Sequence, residues 1–218
     1  MKALVKTLTQ TKRFAFDTET SGLNAMEASL VGMSFSAEAH TGSYVPVNPD
    51  TWPAIRDIFK PLLEDPKLTI VGQNLKYDGK IMARHGVDLA QANLEDTMVA
   101  HYLLEPDQPH GMDALAQAFL DYQCIPITDL LGKKGKNQKS MADIPPAEVV
   151  NYACEDADIT LQLADVLIPK LEEEGLTALF RDVEMPLLSV LMAMELEGVA
   201  LDTAHLAQFS DTLAQELD

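Results

Sequence analysis

Asp17 and Glu19 stand two residues apart at the end of an apolar run, Phe14-Ala15-Phe16. On a strand, side chains two apart leave the same face, so both carboxylates can reach one cation. Asn74 and Asp78 are four apart in Asn74–His85, a segment whose pattern predicts a helix stopped by Gly86. At that spacing the amide and the carboxylate share a helix face. Tyr152 and Asp156 repeat the spacing on a later predicted helix. Three elements could therefore deliver four carboxylates, a phenol and an amide to one place. Oxygen ligands without His or Cys suit a hard cation, Mg²⁺ or Mn²⁺, rather than zinc. Each pair alone is common: Asp17/Glu19 also fits a turn and a cap, and Tyr152/Asp156 also fits a solvated helix face. Their joint occurrence, in this order, carries the information.

The elements that must position these groups follow from pattern. Arg13–Asp17, Leu30–Ser36 and Gly42–Val47 have strand character, with the turn residues Ser21-Gly22-Leu23-Asn24 between the first two. Trp52–Leu63 has helical apolar spacing with Pro53 in its first turn, and Leu68–Gly72 is a short strand of the buried type. Asp96 is expected to cap a helix through Leu104, and Met112–Leu120 forms another. Tyr122–Pro146, punctuated by Pro126, Gly132, Gly135 and Pro145, is expected to be loop. A long helix follows from Ala147 towards Leu171, with a break near Tyr152. Strands first and helices later suit an α/β fold, a mixed sheet covered by helices. After Gly175 the character changes. Leu187, Leu188, Leu191 and Met194 form an apolar stripe ended by Gly198, a short extended piece follows, and Asp202 is expected to cap a helix still running at Asp218. A chain ending inside a helix suggests a piece cut from a longer protein.

The composition sets limits on function. The 218 residues carry 16 Lys+Arg against 34 Asp+Glu, a formal charge of −18, and 47% are hydrophobic. This is a globular mixture, large enough for a real core, and not a disordered one. No run approaches the roughly 18 apolar residues of a membrane helix, and the start lacks a secretory core, so a cytoplasmic protein with no membrane partner is expected. Cys124 and Cys154 are too few for a disulfide scaffold and are expected to be small apolar residues. His40, His85, His101, His110 and His205 show no metal-ligand spacing and are expected at the surface or as caps. The charge is uneven: residues 140–218 hold half of the acidic side chains and two basic ones, Lys170 and Arg181. A charge of this size argues against gripping nucleic acid by bulk electrostatics.

The segments Phe14-Ala15-Phe16-Asp17-Thr18-Glu19-Thr20, Val71-Gly72-Gln73-Asn74-Leu75-Lys76-Tyr77-Asp78 and Tyr152-Ala153-Cys154-Glu155-Asp156-Ala157-Asp158 resemble the three exonuclease motifs of the bacterial DNA polymerase I family. The match is to its 3′→5′ proofreading domain, of the four-carboxylate-plus-tyrosine class, over about residues 3–175. Glu184-Met185-Pro186-Leu187-Leu188 through Gly198-Val199 is similar to the opening of that family's polymerase domain, whose own motifs are absent. The resemblance implies a ribonuclease H-like fold over residues 1–180 and the first helices of a truncated second domain over 181–218.

It further implies removal of nucleoside 5′-monophosphates from single-stranded or frayed DNA 3′ ends by a monomer, with the polymerase domain of the parent chain as partner. Two divalent ions would act, Mg²⁺ or Mn²⁺. Asp17, Glu19 and Asp156 would hold one, and Asp17 would bridge to a second, held by Asp78 directly or through water. Two ions about 3.5–4 Å apart suit an in-line displacement at phosphorus. A phenol of pKa about 10 is protonated at neutral pH, so Tyr152 is given an orienting role with Glu19. Leu23 matches the family's apolar wedge against the terminal bases, and Gln73, Asn74 and Tyr77 match positions that touch the terminal nucleotide. Lys133, Lys134, Lys136 and Lys139 form the one dense basic run, a solvated loop on composition alone. In a nuclease they become candidate phosphate contacts. The family often has an aromatic just before this loop, where this chain has Ile127-Thr128.

Three other readings compete. The first motif also resembles that of haloacid-dehalogenase phosphatases, which want Asp rather than Glu two residues on and leave the other two motifs unexplained. An idle scaffold domain is opposed by the presence of all four carboxylates and Tyr152. A ribonuclease D-type RNA-trimming enzyme is opposed by the Asn74–Asp78 context and the polymerase-like tail. On this reading the charge excludes only electrostatic gripping, because the central acids would hold the cations that meet the phosphate.

Overall fold

Phe14, Ala15 and Phe16 have no exposed surface and form the middle of β1 (Arg13–Thr20). The structure, a computed structural model, describes residues 1–217. β1 is the central strand of a five-stranded sheet ordered β3-β2-β1-β4-β5. β2 (Leu30–Ser36) and β3 (Ser43–Pro46) continue from it as an antiparallel meander, and β4 (Thr69–Gly72) and β5 (Asn93–Asp96) run parallel to it. Parallel neighbours need crossovers. Helix α2 (Trp52–Leu63) lies on the connection to β4, and α3 (Leu75–Arg84) on that from β4 to β5.

Alternation along β1 sorts the two faces. Phe14, Phe16 and Phe35 pack towards Phe59 of α2, the Phe35 and Phe59 rings stacking 5.1 Å apart. Ala15 and Val71 look the other way and meet Leu161 and Ala164 of α7 (Pro146–Glu173). The small Ala15 lets that helix approach the strand that carries Asp17 and Glu19.

Much of the expected outline is present, including β2, α2, α4 (Thr97–Leu104) and α5 (Met112–Leu120). Asp96 caps α4 by accepting from the N–H groups of Met98 and Val99. Four points differ. α1 (Lys2–Thr11) buries only Leu8 and β5 has only four residues, so neither offers a strong pattern. The expected loop at 122–146 contains α6 (Ile127–Leu131) and a 3₁₀ turn, Met141–Asp143, closed by a capping box between Ser140 and Asp143. α7 has no break at Tyr152: Val149, Ala153 and Ala157, four apart, form one buried stripe along a continuous helix. His101 is neither surface nor cap. It is buried, with Nδ1 2.7 Å from Nδ1 of His110.

A π-helical turn, Leu179–Glu184, leads into α8 (Met185–Glu197). Met185, Leu188 and Met192 of α8 join the main core, and Glu195 accepts from both Lys76 and Lys80 of α3. Met192 lies against Gly79, where a Cβ would sit 2.1 Å from its sulfur. α9 (Thr203–Leu217) buries no side chain. Among the described residues, no helix is long and apolar enough to cross a membrane.

Candidate active site

The site forms where β1 ends. Asp17 pairs across the sheet with Ser34 and Glu19 with Gly32, and a bulge between Glu19 and Thr20 ends the regular register. α7 crosses this face and brings Asp156 to the two acids. One carboxylate oxygen from each of Asp17, Glu19 and Asp156 lies within 4.8 Å of the others. Tyr152 stands one turn before Asp156 on the same helix.

Like charges this close, out of water, hold their protons. Burial, then repulsion from Asp78, pushes Glu19 up to about 7. Burial raises Asp17 well above the usual carboxylate range, with Asp78, Glu19 and Asp156 adding to it. Asp156 is raised in the same way, by burial and then by Glu19. Glu19 Oε1 and Asp156 Oδ1 are buried without any hydrogen-bond partner. Such atoms are costly unless something satisfies them. An all-oxygen cluster with unsatisfied buried oxygens fits a hard divalent cation. The Tyr152 phenol, half-buried beside Asp156, Glu19 and Asp17, is held far above its ordinary range and stays a proton donor.

Asp78 is close by but outside this tight group. Its Oδ1 accepts the Thr18 backbone N–H at 3.1 Å and the Thr18 hydroxyl. Thr18 points to the opposite face of β1 from its two acidic neighbours, so Asp78 reaches the site from the α3 side. Burial is the main cause that lifts Asp78 to about 7. Asn74 is not on the helix face assumed from its spacing. It is the N-cap of α3 in the left-handed region, φ 66° and ψ 46°, a conformation Asn tolerates well. Its backbone N–H, and that of Leu75, donate to Asp96.

A cleft of about 480 Å³ opens over these groups. Leu23 stands at its rim, 94% exposed, and is not tucked into the core. Gln73, Asn74 and Tyr77 line it too. Gln73 is anchored, donating to the His110 carbonyl at 2.7 Å and accepting from the Thr97 hydroxyl. The Tyr77 hydroxyl bonds Thr20 and the Gly22 carbonyl, which fixes the turn that presents Leu23. Of the lysines, Lys134 and Lys139 line the cleft, whereas Lys133 and Lys136 do not.

Pattern alone missed several contributors. Ile127 and Leu131 of α6 give the cleft apolar wall in place of the missing aromatic. The Ser140 hydroxyl donates to the Ser21 carbonyl at 3.0 Å and ties the end of the lysine loop to the Leu23 turn. Glu155 accepts from the Tyr122 hydroxyl and the Ile125 N–H, holding the segment that leads into α6. Thr18 was the one open to inference, because a residue between two acids on a strand must face the other way.

Solved structures share this ribonuclease H-like fold. NrnC from Brucella melitensis gives a TM-score of 0.70 at 21% identity, covering 87% of each chain. Pol1 from M. smegmatis, solved with DNA primer-template and dNTP, gives 0.76 at 22% identity, covering 97% of this chain and 34% of that one. These identities speak for the fold alone. The family model described as 3′-5′ exonuclease, of the A-type DNA polymerases, matches residues 1–172, and the chain belongs to that family. DNA polymerase I from Rhizobium leguminosarum is 37% identical over 92% of this chain, and that from Pseudomonas aeruginosa 36% identical over 99%. The chain spans 22% and 25% of the length of these two relatives. Family membership and the carboxylate cluster together make it a divalent-metal-dependent exonuclease.

Proposed function

We propose that this chain removes nucleoside 5′-monophosphates from DNA 3′ ends with two divalent ions, Mg²⁺ or Mn²⁺, as the proofreading part of a DNA polymerase I-like protein. The observation that carries the reading is the convergence of one oxygen from each of three carboxylates, with Asp156 Oδ1 buried and unpartnered. Asp17, Glu19 and Asp156 would hold one ion, and Asp17 with Asp78, directly or through water, a second. Ions held there stabilise charge on the phosphate and lower the cost of generating the nucleophile at neutral pH. In the hydrolysis, a water oxygen bonds to phosphorus and the 3′ oxygen of the preceding nucleotide leaves with a proton. Tyr152, protonated and next to Glu19, orients the incoming water. Leu23 and Ile127 offer apolar surface to the terminal bases, and Lys134 and Lys139 offer charge to the phosphates.

The test is a 5′-labelled single strand incubated with Mg²⁺ or Mn²⁺ and either the wild type or Asp17→Ala. A ladder shortening from the 3′ end with the wild type, absent with the variant, is expected. An intact strand at micromolar protein overturns the reading. An RNA strand in the same assay separates DNA proofreading from RNA trimming.

A further inference from the structure

Tyr44, in β3, belongs to no motif, yet its ring lies over the strand partner of Glu19. It pairs with Ser34, which pairs with Asp17, so the three form one row across the sheet. Its ring leans diagonally over Gly32. A Cβ on Gly32 would fall 2.3 Å from both Cε2 and the hydroxyl oxygen of Tyr44, so the phenol fills the space any other side chain would occupy. Gly32 is the strand partner of Glu19. Side chains paired in this way stand about 4.5–5.5 Å apart at Cβ. The Tyr44 hydroxyl thus lies where the neighbour of Glu19 would begin.

Both ends of this short gap are unsatisfied. The Tyr44 hydroxyl is buried with no partner, and so is Glu19 Oε1. A phenol donates and an ionised carboxylate only accepts, so the two are complementary. A phenol of pKa about 10 is protonated at neutral pH, so it is available to donate. Tyr44 and Tyr152 both pack on the cluster of Met141, Ile144, Val149 and Ala153.

We propose that Tyr44 is a positioning residue for Glu19: when the cation is bound, its hydroxyl donates to one oxygen of that carboxylate and thereby aims the other at the cation. The inference rests on the metal-dependent reading above. Partners one step behind a ligand commonly alter metal affinity or activity by about 10–100-fold.

The experiment compares the full chain with Tyr44→Phe and Gly32→Ala. Mn²⁺ affinity is measured by electron paramagnetic resonance, melting in EDTA by circular dichroism, and cleavage of the labelled strand by steady-state kinetics. Tyr44→Phe is expected to melt as the wild type does in EDTA, since the lost hydroxyl makes no bond there. It should bind Mn²⁺ at least tenfold more weakly and lose kcat by a similar factor, with KM for the strand unchanged. Gly32→Ala, whose methyl group displaces the ring from Glu19, should reproduce the loss of Mn²⁺ affinity. Wild-type Mn²⁺ affinity and kcat in Tyr44→Phe overturn the proposal, as does a drop in metal-free melting without a change in affinity. A wild type that binds no Mn²⁺ overturns the metal-dependent reading itself.

Discussion

Asp78 and Thr18 are joined twice, through the backbone N–H and the hydroxyl of Thr18, both donated to Oδ1 of Asp78. The bond ties α3 to the strand that carries Asp17 and Glu19, from the face opposite those acids. Thr18→Val removes the hydroxyl and keeps the branched shape. Hydrogen bonds to charged groups contribute about 1.5–3 kcal/mol, and urea unfolding at pH 7.5 should show a loss of that order. Cleavage should slow at least tenfold if Asp78 must hold its place, and Thr18→Ser should restore it. Unchanged stability and rate in Thr18→Val would mean that the backbone bond suffices.

The acids make metal-free stability depend on pH. Glu19 rises from 4.5 to about 7 and Asp78 from 3.8 to about 7. The folded chain therefore binds more protons than the unfolded one between about pH 4 and 7. Stability falls as pH rises through that window. One pKa step is about 1.4 kcal/mol, which puts several kcal/mol on the slope, and Asp17 and Asp156 act in the same direction. His101, lowered by burial, opposes the trend near pH 6. Melting in EDTA should therefore be lower at pH 8 than at pH 5.5. Saturating Mn²⁺ should recover about 2.7 kcal/mol at 100 times its Kd. Asp156→Asn should raise the metal-free melting temperature at pH 8 and abolish the response to Mn²⁺. Higher metal-free melting at pH 8 than at 5.5 in the wild type would contradict the account.

Strand period and helix punctuation exposed much of this arrangement in advance, because Phe14-Ala15-Phe16 and the Asp96 cap are local signals. What stayed hidden was tertiary. Asn74 keeps its place in the cleft but as a left-handed cap, a state that spacing cannot distinguish from a helical turn. The unbroken passage of α7 past Tyr152 goes with the packing of Val149 and Ala153 on Val31 and Tyr44 of the sheet. Tyr44 became visible only when the register put Gly32 beside Glu19. His101 is buried through contacts with His110 and Phe119, neither of them adjacent in sequence.

The lysine loop separates into two pairs. Lys134 and Lys139 line the cleft, while Lys133 and Lys136 do not. With a net charge of −18, the chain has little general attraction for DNA, so each phosphate contact should stand out in the salt dependence. Single-strand binding changes its logarithmic salt slope by about 0.7 for each neutralised phosphate. Lys134→Ala and Lys139→Ala should each raise KM severalfold and flatten the slope by that amount, with kcat preserved. Lys133→Ala and Lys136→Ala should change neither quantity. Four equal effects would point to a diffuse loop field rather than two placed contacts.

The last prediction concerns α8 and α9, expected from the sequence to open one second domain but treated differently by packing. α9 buries nothing, whereas α8 places Met185, Leu188 and Met192 in the core and its Glu195 on Lys76 and Lys80. Fully burying such side chains stabilises by about 1.5–3 kcal/mol each. A chain ending at Gly198 should melt as the full chain does. A chain ending at Glu184 should lose several kcal/mol, and exchange of α3 backbone amides with deuterium should speed up around Asp78, since Met192 no longer covers Gly79. Its cleavage rate should fall with that loosening. Glu195→Gln, which weakens the clamp but leaves the core filled, should give a smaller effect of the same sign. Equal melting of the chains ending at Glu184 and Gly198 would assign α8, with α9, to the second domain.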